Sequence, residues 1–266
     1  MWSLHAARQL IECLSGGTAL LGETLGESPP PMKEWLIRLE GDHADLQDLP
    51  FLFTADDLTV TEEAGAFYLK ALELNGIDNV AAVVARAKLL LQFISAAAAF
   101  HFNSFSTLDI GDLILVDENG VRRGHMYLAP ATGLNEQFVG TTLDDGTFVP
   151  ANRSRNVDYL VRLSMKFREV ADSLQFFQED SWVSLFKVYE IIRDDLGGDN
   201  KLFQTKWTTK AILSRFTHTA QSKLVLGAEA RHARKKFGAP KVPMSKFEAH
   251  YFIRELLLTW MRTKSL

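Results

Sequence analysis

The chain has 266 residues, long enough for one large domain or two small ones. Its 47% hydrophobic and 23% charged residues exclude wholesale disorder. A net charge of −4 argues against a surface coated throughout by nucleic acid, yet leaves room for a local basic site. Cys13 is the single cysteine, so an internal disulfide framework and a thiolate metal cluster are both ruled out.

Residues 1–31 read as a peripheral arm. A short helix from Leu4 to Leu14 runs into Gly16-Gly17, and Pro29-Pro30-Pro31 forms an extended connector that cannot continue a helix. Only Arg8 precedes Glu12, and no clean apolar core follows, so a secretory signal is not expected and the expected location is cytoplasmic.

From residue 32 to about 150 the pattern is that of a small α+β domain. Trp35, Ile37 and Leu39 alternate with Leu36, Arg38 and Glu40, a period-2 signal for a strand. Leu58 to Glu62 and Phe67 to Leu74 flank Glu63-Ala64-Gly65 and predict a hairpin. Val80, Val83, Ala87, Leu90, Leu91, Ile94, Ala97 and Ala98 recur at helical spacing, with Asp78 or Asn79 as the N-cap. This most apolar stretch also carries Arg86, Lys88, Gln92 and His101, so a buried helix is expected and no membrane span. A second hairpin is predicted from Leu113 to Val116 and from Val121 to Leu128, with Asn119-Gly120 supplying a tight type I′ turn. Asp144-Asp145-Gly146 marks a further turn.

Residues 151–266 predict a helical bundle. Leu160, Leu163, Phe167, Val170, Leu174 and Phe177 keep an unbroken three- and four-residue rhythm, as do Trp182, Leu185, Tyr189, Ile192 and Leu196 before Gly197-Gly198. A shorter helix is expected from Lys210 to about Ala220, and a last one begins at Ser245, which forms a capping box with Glu248 and leads through Phe252, Ile253, Leu256 and Trp260. The fold class is therefore α+β: a small antiparallel sheet with one long helix, then a C-terminal helical bundle.

Chemical motifs are few. No phosphate-binding Gly-x-x-x-x-Gly-Lys-Ser/Thr or Gly-x-Gly-x-x-Gly run is present, and neither is Gly-x-Ser-x-Gly. His5, His43, His101, His125, His218, His232 and His250 form no paired metal-ligand spacing. On that helix His101 reads as a hydrogen-bonded core residue. Glu190 and Asp194, with Asp195 beside them, share a helix end and could hold Mg²⁺ with substrate phosphates, or serve as a solvated acidic end. No metal or cofactor is expected.

One segment stands out. Arg231, His232, Arg234, Lys235, Lys236 and Lys241 place five cations and a histidine within eleven residues of an acidic protein, with Phe237 among them. Such density can neutralise phosphates while an aromatic ring stacks on a base. Gly238 and Pro240 equally mark a solvated connector, and an acidic protein is a further partner of the right charge. Arg231 also has a structural reading, as a bidentate partner of Glu190 or Asp194 on a neighbouring helix.

Ser214 to Ser222, Gly227 to His232, Pro243-Met244-Ser245, Glu248-Ala249, Leu256-Leu257 and Trp260 together resemble the C-terminal signature of a family of bacterial proteins with no assigned activity, and Trp182 to Gly198 fits it too. The region is more distantly similar to HEPN domains, helical bundles whose active members are metal-independent ribonucleases with an Arg followed four to six positions later by His. Here Arg231-His232 supplies only the opening pair; Arg38 and His43 have the spacing, but Arg38 falls in a predicted strand. The resemblance implies two classes of function. One is a non-enzymatic interaction or regulatory module that binds nucleic acid or a protein through residues 231–241. The other is a ribonuclease, acting as a homodimer, in which His232 is the base and Arg231 stabilises the phosphorane.

Overall fold

The computed structural model describes residues 33–102, 105–125, 140–142, 148–150, 156–231 and 239–266. The arm at 1–31 and the Asp144-Asp145-Gly146 turn lie outside them. Strands β1 (Glu34–Glu40), β2 (Thr54–Ala55), β3 (Leu58–Glu63), β4 (Ala66–Ala71), β5 (Asp109–Val116) and β6 (Arg122–His125) form an antiparallel sheet in the order β2-β3-β4-β1-β5-β6. A separate pair joins β7 (Gly140–Thr142) to β8 (Phe148–Pro150).

β1 is central because both its neighbours bury it: Trp35, Ile37 and Leu39 face the core, and Leu36 on the other face is also closed to solvent. Opposite it, β5 fits two residues, Gly111 and Asp112, against the single Arg38, a bulge that re-registers the pairing from Ile37↔Leu113 to Leu39↔Ile110. A Cβ on Gly111 would stand 2.9 Å from the Glu40 carboxylate, so glycine is the residue the bulge accommodates.

The two hairpins differ from each other in their turns. Between β3 and β4, Glu63 pairs directly with Ala66, and Ala64 (φ 52°) and Gly65 (φ 78°) both adopt the left-handed region. Between β5 and β6 the expected type I′ turn at Asn119-Gly120 does not form. Gly120 alone takes positive φ (77°), and Asp117 closes a longer loop by exchanging backbone bonds with Gly120 and Val121. The Asp117 carboxylate accepts from the amides of Asn119 and Val121, which holds the extra residue in place. Leu72–Leu74, expected as the end of a strand, is a 3-10 turn whose Leu74 caps the core.

Helix α1 (His43–Leu52) was not anticipated from the sequence. Asp42 caps it by accepting from Ala44 and Asp45, and Ala44, Leu46, Leu49 and Leu52 are its buried positions. Helix α2 (Val80–Phe102) starts at Asn79, whose side-chain oxygen accepts from Ala81 and Ala82. It is the one described helix long and apolar enough to cross a bilayer by length and composition. Its Val83, Ala87, Leu90, Leu91 and Ile94 are instead buried in the protein core.

The expected single rhythm from Leu160 to Phe177 is divided into α3 (Asn156–Lys166) and α4 (Arg168–Glu179). Phe167 between them is extended (φ −123°, ψ 107°), while its amide still bonds Leu163 and its carbonyl accepts from Val170. The chain changes direction there without losing its apolar stripe, and both helices pack on α2. Next come α5 (Trp182–Leu196), closed by Gly197 at φ 85°, then α6 (Asp199–Gln204), α7 (Lys210–Gln221), α8 (Lys223–Leu226) and α9 (Lys246–Met261). The Ser245–Glu248 capping box is present. A second, formed by Ser181 and Ser184, starts α5.

One hydrophobic core runs from the sheet through α2 into the bundle. Arg162 on α3 pins the same junction, donating in a fork to both oxygens of Asp57 in the β2–β3 turn (2.5 and 2.9 Å) and through Nε to Asp158 (2.9 Å). That guanidinium holds the Asp57 carboxyl below its ordinary proton affinity, mainly through the hydrogen bond.

Candidate functional site

The first residue of the basic segment is bonded to α7. After α8 and a 3-10 turn (Gly227–Glu229), the Arg231 amide donates to the carbonyl of Ala220 at 2.9 Å. Its guanidinium crosses to α5. There Nη2 is shared between Glu190 Oε1 (2.8 Å) and Oε2 (3.1 Å), and the guanidinium carbon sits 4.3 Å from the centre of the Phe186 ring. The contact therefore uses one nitrogen on two oxygens rather than the two-pronged fork the sequence suggested. Both side chains are largely enclosed, 30% and 26% exposed.

The segment returns to the same helix. Arg215 on α7 donates to the carbonyls of Val242 (3.1 Å) and Pro243 (3.0 Å) and to Glu248 of the capping box (2.9 and 3.0 Å). One residue on, the Met244 amide donates to Thr219 Oγ1 at 3.0 Å. Arg231 and Met244, which flank the segment, are thus bonded to adjacent positions of α7, Ala220 and Thr219. His232, Arg234, Lys235 and Lys236 lie outside the described residues; Lys241 is exposed.

The acidic patch is dispersed among separate partners. Glu190 holds Arg231, Asp194 accepts from Arg193 (2.7 Å), and Asp195 accepts from Lys264 (2.8 Å) and from the Trp260 indole (2.7 Å). Burial pushes the Asp195 carboxyl up, but the Lys264 and Trp260 hydrogen bonds outweigh it and leave its proton affinity lowered. No group of three or more metal-ligating side chains occurs among the described residues. Arg38 is a strand residue 3.6 Å from Asp112, whereas His43 opens α1 and lies edge-on to Phe67, its ring centre 6.0 Å away. His101, expected to be hydrogen-bonded, is half-buried with an Nε2 that has no hydrogen-bond partner. Burial, then the charge of Arg254, pushes its proton affinity down, so the ring is neutral near pH 7.

A concave surface that the sequence reading did not single out lies across the opposite side of α9, between the C-terminal ends of α2 and α4. It encloses about 780 Å³. Asp180, in the left-handed conformation that ends α4 (φ 42°), organises one wall. His250 Nδ1 donates to its Oδ1 at 2.8 Å, and Lys246 reaches the same oxygen at 3.1 Å and also the Asp180 carbonyl. Burial raises the proton affinity of Asp180, but these two partners outweigh it and keep it a carboxylate. Arg254 lies one helical turn beyond His250, its guanidinium carbon 5.1 Å from the centre of the Phe100 ring. The signal was present in the sequence as Lys246, His250 and Arg254 at four-residue intervals on one face of α9. Nothing in one dimension places Asp180 and Phe100 opposite them.

The fold and these two surfaces define an α+β protein in which an antiparallel sheet and a helical bundle meet on α2. Comparison with protein-family models, curated proteins and solved structures finds no match to the chain.

Proposed function

We propose that the protein is a non-enzymatic binding module that presents residues 232–241 to the phosphates of a nucleic acid. The observation that carries the reading is the return of this segment to its own starting point on α7, tied by Arg231 at one end and by Arg215 and Thr219 at the other. Between these two tied ends the sequence carries four cations, Arg234, Lys235, Lys236 and Lys241, within eight positions. Clustered positive charge draws phosphate and releases counterions. Arg231 itself is engaged by Glu190 and Phe186, which supports a fastening role for it over the phosphate-stabilising role a ribonuclease would require. In this reading the chain is a bacterial interaction or regulatory protein acting in the cytoplasm.

The test is fluorescence anisotropy of a labelled single-stranded RNA against salt. Four phosphate contacts predict a slope of log affinity on log salt of about −3, and joint replacement of Arg234, Lys235 and Lys236 by alanine should bring it to about −1. Equal binding by that variant and the wild type overturns the reading. RNA cleavage that disappears in His232→Ala favours the ribonuclease instead.

A further inference from the structure

The groove between α2, α4 and α9 has the features of a small-molecule site, and its lining shares no described residue with the basic segment. Glu248, which meets Arg215, faces α7, whereas Lys246, His250 and Arg254 follow one another at four-residue spacing on the side toward Asp180. A cavity of about 780 Å³ lies in the size range of ligand pockets and well above what packing defects leave. Five aromatic rings line it: Phe100 and Phe177 are buried in its floor, Phe105 is half-buried, and Phe247 and Tyr251 are 81% and 60% exposed. Two large rings four residues apart, both left in solvent beside a cavity, offer flat surface that nothing among the described residues covers.

The polar groups give the groove its sign. Asp180 is engaged by Lys246 and His250. Among the described residues the carboxylate near Arg254 is its chain neighbour Glu255, at 3.8 Å, and the Arg254 side chain lines the groove with 27% of its surface exposed. A partly exposed guanidinium resting on an aromatic face, with no close carboxylate against it, is a strong donor for an anionic oxygen.

We propose that this groove binds a small planar aromatic molecule carrying one anionic group, with the anion on Arg254 and the ring between Tyr251 and the buried phenylalanines. Phosphate and carboxylate share the chemistry Arg254 reads. A nucleoside monophosphate and an aromatic acid are therefore the two sources to separate.

The experiment is ligand-observed NMR and calorimetry on the full chain with adenosine 5′-monophosphate and benzoate, and with their neutral analogues adenosine and benzamide. At least one of the two anions should bind, and which one does identifies the source. Benzamide should bind at least about tenfold more weakly than benzoate if the acid is the ligand, and adenosine likewise if the nucleotide is. Arg254→Met, which keeps the length but not the charge, should weaken the anion about tenfold or more. Tyr251→Ala, at an exposed position that folding does not depend on, should weaken it severalfold and serves if the Arg254 variant fails to fold. The proposal is overturned if neither anion binds up to about 5 mM, if the neutral analogue binds as well as its anion, or if Arg254→Met, or Tyr251→Ala in its place, binds as the wild type does.

Discussion

Arg231 and Arg254 stand in similar settings and come to opposite ends. Each lays its guanidinium on a phenylalanine, at 4.3 Å on Phe186 and 5.1 Å on Phe100. Arg231 then meets a carboxylate from another helix, whereas the carboxylate near Arg254 among the described residues is its chain neighbour Glu255, at 3.8 Å. Cation density along the chain singles out the first and passes over the second. The difference teaches that a charge is available for binding according to what the fold has already set against it, not according to how many like charges surround it in sequence.

Five substitutions probe the fold, the first three of them bearing on that contrast. The largest effect is expected beneath the Arg231 anchor. Phe216 is fully buried among Trp182, Phe186, Tyr189 and Phe252, so Phe216→Ala should cost about 3–5 kcal/mol in urea denaturation. Phe247→Ala at the groove, by contrast, should change stability by less than about 0.5 kcal/mol. If Phe247 proved equally costly, the groove would be part of the core. Arg231→Ala comes next, at about 1–2 kcal/mol, with part of the loss recovered by adding Glu190→Gln. A double-mutant cycle with no coupling would dissolve the anchor.

A smaller effect is expected from Asp48 on α1. Burial, then the nearby Asp45, pushes its carboxyl up to about 6, and its Oδ1 has no hydrogen-bond partner. The folded state therefore holds this proton more tightly than the unfolded chain, whose aspartate titrates near 4. Between pH 4 and 6 the folded state binds more protons, so stability falls as pH rises through that window and stays lower above it. Asp48→Asn should raise Tm at pH 7, by about 2 °C after allowance for the half-exposed side chain, and have little effect at pH 4. A Tm gain that is the same at both pH values would assign the effect to something other than charge. The smallest change is at the β3–β4 turn. Ala64→Gly should stabilise by about 0.5–1 kcal/mol, because alanine at φ 52° carries a Cβ penalty that glycine escapes. A loss would mean the turn draws on the alanine methyl.

Much of the fold was readable because its signals are local. The Asn79 cap, the Ser245–Glu248 box and the Gly197-Gly198 stop each specify backbone geometry within a few residues. The turn at Asn119-Gly120 was misread because Asp117, two residues earlier, captures the amides of Asn119 and Val121 and favours a longer loop over the tight one. The break at Phe167 was invisible because the apolar rhythm continues across it; only the backbone departs from the helix. Helix α1 escaped notice because Pro50 lies within it, although Leu46, Leu49 and Leu52 kept helical spacing after the Asp42 cap. For the candidate sites the pattern is similar. Glu190 was nameable as a partner for Arg231 because a helix end and a loop end offered opposite charges. Asp180 and Phe100 reach Arg254 and its neighbours from distant parts of the chain, and no spacing rule links them.

The shared helix α2 has a practical consequence for anyone dividing this protein. One side of it belongs to the sheet and another to α3 and α4, and the Arg162–Asp57 fork closes the seam beside it. A fragment ending near residue 150 would carry α2 with half its apolar coat removed, and the complementary fragment would lack the surface on which α3 and α4 rest. Expressed separately, the pieces are candidates for aggregation; expressed together, they have the makings of a split reporter, each half ordered by the arrival of the other.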